Sequence, residues 1–137
     1  VIFIEAAVLF NDGVFKTISI SDGTNANSLF IQYTNTTNQL VVNGRTGAVG
    51  FPNPIVNTLL NATLFSKILV KYTPNKINLF IDGVKITNEI NNQVLSSNFS
   101  RFGFDSGSGG SPLSGKVKSL QLFNVALTDA ECIDLTT

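Results

Sequence analysis

The stretch NLFIDGVKIT, from Asn78 to Thr87, decides the fold class of this chain. Its two halves are rich in β-branched and aromatic residues, which favour strands. Between them lies Asp82-Gly83, and both residues tolerate the positive φ angles of a two-residue type I′ turn. The stretch therefore predicts an antiparallel β-hairpin. Asn43-Gly44 carries the same turn signal and predicts a second hairpin turn.

Runs of the same kind follow one another along almost the whole chain. About ten or more short strands, separated by turn residues every 8–12 positions or so, are typical of an antiparallel sandwich or barrel. No strand–helix–strand alternation is present, which argues against a parallel α/β fold. Only the C-terminal end predicts a helix, because Thr128-Asp129-Ala130-Glu131 forms a capping-box sequence. The expected helix is short, from Asp129 to Leu135.

Length and charge narrow the classes of function. A chain of 137 residues predicts a single domain, residues 1–137. Because it begins at Val1 and contains no Met, we expect it to be part of a longer chain. Nine basic residues balance nine acidic ones, so the chain lacks the positive charge that nucleic-acid binding needs. No apolar run approaches the roughly 20 residues of a membrane span. Polarity comes instead from 41 Asn, Ser and Thr residues.

The residues that are missing limit catalytic and metal chemistry. The absence of His excludes His-based triads and His-containing zinc sites. The single Cys132 is expected to be a small buried side chain. A retaining glycoside hydrolase needs two carboxyl groups about 5–5.5 Å apart. The only acidic residues two positions apart are Asp129 and Glu131, which belong to the capping box. The sequence therefore predicts no catalysis.

Three parts of the chain carry a resemblance to a known family. They are Ile18 to Gly23 with the Asn-rich loop after it, Ile68 to Tyr72 with Leu79 to Val84, and Leu113 to Glu131. The third is the most specific, because it joins a Gly-Lys strand, a Leu-Phe-Asn turn and a Leu-Thr-Asp-Ala-Glu helix start. The chain resembles laminin-G-like, concanavalin A-like jelly-roll domains, in particular those of bacteriophage tail fibres and virion appendages. The resemblance implies an all-β, antiparallel two-sheet jelly-roll β-sandwich with a short C-terminal helix, and a non-catalytic adhesive or structural role.

Loop residues are the candidates for ligand binding, because amides, carboxylates and guanidinium groups hydrogen-bond to sugar hydroxyls. The ligand-binding candidates are Asp22, Asn25, Asn27, Asn43, Arg45 and Asp105. The alternative for each Asn is a turn-forming role. Some laminin-G-like domains bind calcium near a sheet edge, and Asp22 with Asp105 could supply part of the 6–8 oxygens that calcium requires. We therefore expect no cofactor, with calcium optional at most.

Aromatic residues are expected to belong mainly to the core. Tyr33 and Tyr72 share their alternation phase with neighbouring apolar residues, and the Phe residues lie mostly within strands. Apolar residues also occupy the opposite phase, at Phe30, Leu69 and Phe80. We expect such outward-facing surface to be covered by other protein, either a neighbouring domain or another copy of the chain.

Three functions remain after these exclusions. The first is an adhesive or receptor-binding domain of a virion fibre or appendage, on the virion surface or extracellular, that recognises cell-surface glycan through its loops. The second is a purely structural spacer or decoration domain that binds other virion protein or copies of itself. The third is an atypical glycoside hydrolase. Neither nucleic-acid binding nor membrane insertion is expected.

Overall fold

The structure is a computed structural model that describes residues 1–137. The strands are β1 Ile2–Val8, β2 Lys16–Ser21, β3 Ser28–Tyr33, β4 Gln39–Thr46, β5 Val49–Gly50, β6 Ile55–Thr58, β7 Ser66–Thr73, β8 Lys76–Ile81, β9 Val84–Lys85, β10 Ile90–Asn91, β11 Arg101–Gly103 and β12 Gly115–Leu122. The one helix is α1, Asp129–Thr136, which begins at the predicted residue. No helix is long and apolar enough to cross a membrane.

The strands form two antiparallel sheets. Sheet A has the strand order β10-β8-β7-β1-β12, with β9 beside β8. Sheet B has the order β11-β2-β3-β4-β5, with β6 beside β4. Every pairing between these strands is antiparallel. Strands distant in sequence lie side by side in both sheets: β12 pairs with β1 in sheet A, and β11 pairs with β2 in sheet B. The predicted two-sheet jelly-roll sandwich with a C-terminal helix is confirmed.

The main core lies between the sheets and follows from strand alternation, which sends every second side chain to the same face. From sheet A it receives residues such as Ile4, Ile68 and Leu79, and from sheet B residues such as Ile18 and Ile31, all fully buried. Tyr33 is buried among them, as predicted. The inner faces are therefore committed to packing, and recognition is left to the outer faces and the loops.

A second, smaller core lies on the outer face of sheet A, under helix α1. Phe3, Leu69 and Phe80 point outward from this sheet and are buried against Cys132 of the helix. The capping box of the helix and the buried Cys are both confirmed. The expectation that Leu69 and Phe80 are covered by other protein is wrong, because the helix of the same chain covers them.

The two predicted hairpin turns have opposite outcomes. Asp82 and Gly83 form the turn between β8 and β9, with φ angles of 47° and 80°. Asn43-Gly44 is not a turn: both residues lie inside β4, and the turn comes at Gly47 and Ala48, with φ angles of 60° and 67°. Gly44 is a glycine for a steric reason, since a Cβ atom there would lie 2.5 Å from the ring of Phe51.

The expectation that the Phe residues are mainly core residues is only partly right. Phe3, Phe51 and Phe80 are buried, but four others are at least 40% exposed: Phe10, Phe15, Phe65 and Phe104. All four lie just outside strand ends, where the alternation of the neighbouring strand does not determine their direction. Tyr72 is half-buried at the end of β7 and packs against the edge of the main core.

Candidate functional site

The outer face of sheet B carries mainly polar side chains, in register across its strands, with Phe30 among them. Ser19, Phe30 and Asn43 form one cross-strand row on β2, β3 and β4. The row beside it contains Ser28, which pairs with Arg45. Because residues two apart on a strand share a face, Asn43 and Arg45 lie side by side on this surface. The correction of the turn therefore places two predicted ligand-binding residues on a rigid strand instead of a loop.

The segment of residues 104–113 covers the β2 side of this face. The amide of Thr17 donates to the carbonyl of Ser111 at 2.9 Å, and a Cβ atom on Gly107 would lie 3.1 Å from the hydroxyl oxygen of Ser21. Thr17, Ser19 and Ser21 are all buried. The β3–β4 side stays accessible, with Phe30 and Arg45 half-buried. The part of the outer face that can meet a ligand is therefore the surface around these two residues.

Arg45 carries the charge of this surface. Its guanidinium carbon lies 5.4 Å from the centre of the Phe30 ring, a cation–π distance. Its side chain makes no hydrogen bond and no ion pair with the chain. A guanidinium group presents five N–H donors in a planar fork that matches a carboxylate. The ring therefore orients a cation whose donors are all free for a ligand.

Asn43 and Asn27 are held by the protein itself. The Asn43 amide donates to the carbonyl of Phe51 at 3.2 Å and accepts from the amide of Gly44 at 2.9 Å. Asn27 donates to Asp22 at 2.7 Å and accepts from the amide of Gly47 at 2.9 Å. Both amides thus fix local backbone, which is the structural role named as their alternative, and each retains limited capacity for a ligand.

The loop of residues 22–27 borders Arg45 at the end of β4. The amide of Ala48 donates to the carbonyl of Ala26 at 2.9 Å, which ties this loop to the β4–β5 turn. Asn25 is exposed in the loop, and its side chain makes no hydrogen bond. Of the six predicted ligand-binding residues, Asn25 and Arg45 are the two whose polar side-chain groups are free.

Asp22 and Asp105 lie on loops that touch, and the carboxylates of both are engaged by neighbouring protein groups. A Cβ atom on Gly107 would lie 2.6 Å from the carbonyl oxygen of Thr24, so the two loops are in contact. Asp22 accepts hydrogen bonds from the hydroxyl of Thr24 at 2.6 Å and from Asn27, while Asp105 is paired with Arg101 at 2.5 Å. The structure contains no group of three or more acidic, His or Cys side chains suited to a metal ion.

The acidity of the two carboxyl groups reflects these partners. Hydrogen bonds from Thr24 and Asn27 lower the pKa of Asp22. Partial burial acts to raise the pKa of Asp105, but hydrogen bonding and charge from Arg101 with the amide of Gly107 outweigh it, and the pKa is lowered. Both groups are therefore ionised acceptors whose oxygens are already used to order the loops.

Sequence reasoning missed Phe30 as a site residue and assigned it to protein contact. The signal was available in β3, where Ser28, Phe30 and Gln32 alternate with the apolar residues Leu29 and Ile31. Because the ring of Phe30 shares a face with a hydroxyl and an amide, the pattern indicates a residue at a polar surface and not a core residue. The pairing of β3 with β4 places Arg45 over that ring, and sequence spacing alone does not provide this pairing.

Comparison with known proteins identifies the architecture. Residues 9–132 match the sequence profile of the Laminin_G_3 family, described as the concanavalin A-like lectin/glucanases superfamily. The CBM40 of the Ruminococcus gnavus IT-sialidase, solved bound to α2,3-sialyllactose, superposes with a TM-score of 0.76 and 16% identity, over 99% of this chain and 81% of that chain. No curated protein sequence matches the chain significantly.

Two further solved structures share the fold at lower similarity. The β-glucanase of Bacillus licheniformis is 18% identical with a TM-score of 0.57, over 70% of this chain and 47% of that chain. Sheep galectin-11, in complex with glycerol, is 10% identical with a TM-score of 0.56, over 88% of this chain and 86% of that chain. At these identities the likeness establishes the fold, and function has to be argued from the site.

Proposed function

We propose that this chain, which belongs to the Laminin_G_3 family of the concanavalin A-like lectin/glucanase superfamily, is a non-catalytic domain that binds glycan on the outer face of sheet B. The observation that carries the proposal is the unpaired guanidinium of Arg45, oriented on the ring of Phe30 beside an amide-rich loop. Similarity to a CBM40 solved with a sialyllactose supports glycan as the ligand class.

The residues at this surface favour a sugar that carries a carboxylate. The fork of N–H groups on Arg45 pairs with a carboxylate, and the exposed Asn25 reaches neighbouring hydroxyls from the adjoining loop. Phe30 supplies an apolar ring against which the C–H groups of a sugar pack. A neutral glycan would use only the amides and the ring, so we expect it to bind more weakly than an acidic glycan of the same length.

The absence of catalysis is part of the proposal, because eight of the nine acidic side chains have structural partners and the ninth, Asp134, is exposed on α1 away from the glycan-binding face. Asp129 is paired with Lys71 at 3.0 Å and with Lys85 at 2.7 Å, and Glu131 caps α1. On the glycan-binding face, Asp22 and Asp105 are occupied by loop contacts. An atypical glycoside hydrolase would need a free carboxylate pair. Hydrolysis of a panel of β-glucans and sialosides by the pure protein would overturn this part.

Binding of 3′-sialyllactose, measured by titration calorimetry or NMR, tests the proposed site. The Arg45→Ala variant should lose at least tenfold in affinity, because a charge-assisted hydrogen bond contributes about 1.5–3 kcal/mol. The matched control is Lys116→Ala, which removes a second cation that has no acidic partner, on β12 of the other sheet. Equal affinity of wild type and Arg45→Ala for every acidic glycan that binds would place recognition elsewhere.

Protein contact is a second candidate function, favoured by an exposed apolar surface at the end of the sandwich formed by the loops after β1 and β6. We call this surface the apolar end. Its seven residues are 40–96% exposed: Leu9, Phe10, Val14, Phe15, Leu60, Leu64 and Phe65. The amide of Val8 donates to the carbonyl of Ala62 at 3.0 Å, and the side chain of Asn38 bonds to both loops, so the loops are held together.

We assign the apolar end to contact with a second copy of the chain. At about 150–250 Å² per large side chain, it exposes roughly 700 Å², close to the 800 Å² or so per partner in a standard interface. The two ion pairs beside it, Lys16 with Asp12 and Lys118 with Glu5, are each internally neutral, so two copies meet without like-charge repulsion. Sedimentation should detect a dimer that Leu60→Ser with Phe10→Ser abolishes, and a wild-type monomer at 1 mM or so would overturn the assignment.

A location on the virion surface, or another extracellular location, completes the proposal. Its support is the resemblance of residues 113–131 to domains of tail fibres and virion appendages. A dimer joined at the apolar end would hold two glycan-binding faces on one assembly, and linkage of two weak sites raises avidity by about 10²–10⁴. Binding of the pure protein to host cells, competed by the glycan that binds it, tests this role.

A further inference from the structure

A cleft walled by two aromatic rings lies away from the proposed glycan-binding face. It has a volume of about 330 Å³ and lies between the β7–β8 turn and the segment that connects β10 with β11. Its lining residues are Tyr72, Thr73, Pro74, Leu95, Ser96, Ser97 and Phe99. A second cleft of about 270 Å³ shares Tyr72 and Phe99 with it, so the open surface extends to both sides of this aromatic pair.

Two aromatic rings form an angled wall in this cleft. The rings of Tyr72 and Phe99 are 6.5 Å apart between centres and inclined by 68°. Both side chains are half-buried, with one side against the core and the other open. The amide of Leu95 donates to the carbonyl of Pro74 at 3.1 Å and fixes the opposite wall against the β7–β8 turn. The cleft is therefore built by defined contacts.

The polar groups of the cleft are all uncharged. Four of its seven lining residues carry hydroxyl groups, and none is acidic or basic. The hydroxyl groups of Tyr72 and Ser97 make no hydrogen bond within the protein. Burial raises the pKa of Tyr72, so its hydroxyl remains a protonated donor at neutral pH. A charged ligand would lose water here without gaining a counter-ion, which is unfavourable.

We infer that this cleft is a second sugar-binding subsite and that it takes a neutral pyranose. The apolar face of the pyranose packs on the rings of Tyr72 and Phe99, and its hydroxyls bond to the free hydroxyls of Tyr72 and Ser97. Pockets of about 300 Å³ and above, with aromatic walls and few polar groups, are typical small-ligand sites. The inference rests on the proposed function, because a neutral subsite serves a domain that binds glycan.

The two sugar-binding surfaces meet at one hydrogen bond. The hydroxyl of Thr46, the residue after Arg45, donates to the carbonyl of Val94 at 2.7 Å. Val94 precedes Leu95, which lines the cleft. The segment from Val94 to Phe99 thus separates the face of Arg45 from the cleft. An oligosaccharide with an acidic residue and neutral residues can therefore occupy both surfaces by crossing this segment.

Residue-resolved NMR of the 137-residue chain tests the subsite. The probes are the methyl glycosides of β-galactose, β-glucose and α-mannose at millimolar concentration, with 3′-sialyllactose as the acidic probe. At least one neutral glycoside should shift the amide resonances of Thr73 and of residues 95–99. Tyr72→Phe keeps the ring and removes one hydroxyl, so it should weaken that glycoside about fivefold. Tyr33→Phe, the same substitution at a tyrosine buried in the main core, is the matched control and should leave affinity unchanged.

The outcomes separate the subsite from the proposed function. If no neutral glycoside shifts residues 95–99, or if Tyr72→Phe binds as well as wild type, the subsite is refuted. If 3′-sialyllactose and other acidic glycans leave Phe30 and Arg45 unshifted, the proposed face is refuted, whatever happens in the cleft. A dispersed spectrum of Tyr72→Phe, matching that of the wild type outside the cleft, establishes that the variant is folded.

Discussion

Replacement of Gly44 by Ala tests whether this residue is a packing glycine inside β4. A Cβ atom at Gly44 would lie 2.5 Å and 2.9 Å from two ring carbons of Phe51, and 3.0 Å from a methyl group of Leu95. Phe51 and Leu95 are both buried, so neither side chain can move into solvent. Overpacking of this kind destabilises by about 1–3 kcal/mol. Ala in place of Gly within a strand would otherwise stabilise by about 0.5–1 kcal/mol.

The net expectation for Gly44→Ala is a loss of about 1–2 kcal/mol in the free energy of unfolding. Urea denaturation measures it as a lower midpoint with an unchanged slope. Gly50→Ala is the matched control, because Gly50 is exposed, has a negative or extended φ, and its Cβ atom would meet only a side-chain nitrogen at an ordinary 3.9 Å. This control should be neutral or slightly more stable than the wild type.

A second variant identifies the clash as the cause. Phe51→Leu removes the ring atoms nearest to the new methyl group, so the double variant should be more stable than the sum of the two single losses by about 1 kcal/mol. Wild-type stability of Gly44→Ala would refute the packing argument. So would strict additivity of the double variant, because the loss would then come from elsewhere in β4.

Further predictions concern acid stability, a buried hydroxyl, calcium and attachment. Hydrogen bonds led by Lys76 lower the pKa of Glu89 to about 2 in the folded protein, below its value of about 4.3 in the unfolded chain. The stability that Glu89 contributes is therefore complete above about pH 4.3 and is lost as the pH falls towards 2. Melting temperatures of Glu89→Gln should depend less on acid pH than those of the wild type. Tyr33→Phe removes a buried hydroxyl without a partner and should leave urea stability equal or higher by up to about 1 kcal/mol; a clear loss would reveal a hidden partner. A chelator should leave the melting temperature unchanged, whereas a calcium site saturated at 100 times its dissociation constant would add about 2.7 kcal/mol. Asn25→Ala with Arg45→Ala should weaken cell attachment with no change in melting temperature, and undiminished attachment would contradict the proposed face.

The sequence predicted the architecture well because the signals behind it are local. Strand composition, turn residues and the capping box at Thr128 act over a few residues, and they agree along the chain. Asp82-Gly83 and Asn43-Gly44 carry the same local signal, yet only the first is a turn. What distinguishes them is the contact of Gly44 with Phe51, seven residues further along the chain, which no turn preference contains.

Outward-facing apolar residues illustrate the same limit for the surface. Phe30, Leu69 and Phe80 occupy equivalent alternation phases, so sequence treats them alike. The structure separates them, because α1 packs over Leu69 and Phe80, while Phe30 lies on the other sheet with Arg45 above it. Which sheet face a terminal helix covers depends on the tertiary path of the chain. A local pattern of eight residues does not determine that path.

Six of the nine basic residues form ion pairs with acidic side chains, and Arg45 is one of the three that do not. Acidic and basic residues are equal in number, and Asp12, Glu5, Glu89, Asp105 and Asp129 each pair with a lysine or arginine. Arg45 instead contacts a ring, in a half-buried position where an opposite charge would stabilise it. No acidic side chain of the protein provides this stabilisation, so the charge of Arg45 is available to an acidic ligand. If that ligand is an acidic sugar, Arg45→Gln should lose affinity and leave the fold as stable as the wild type, or more so; a clear loss of stability would mean that the arginine serves the fold.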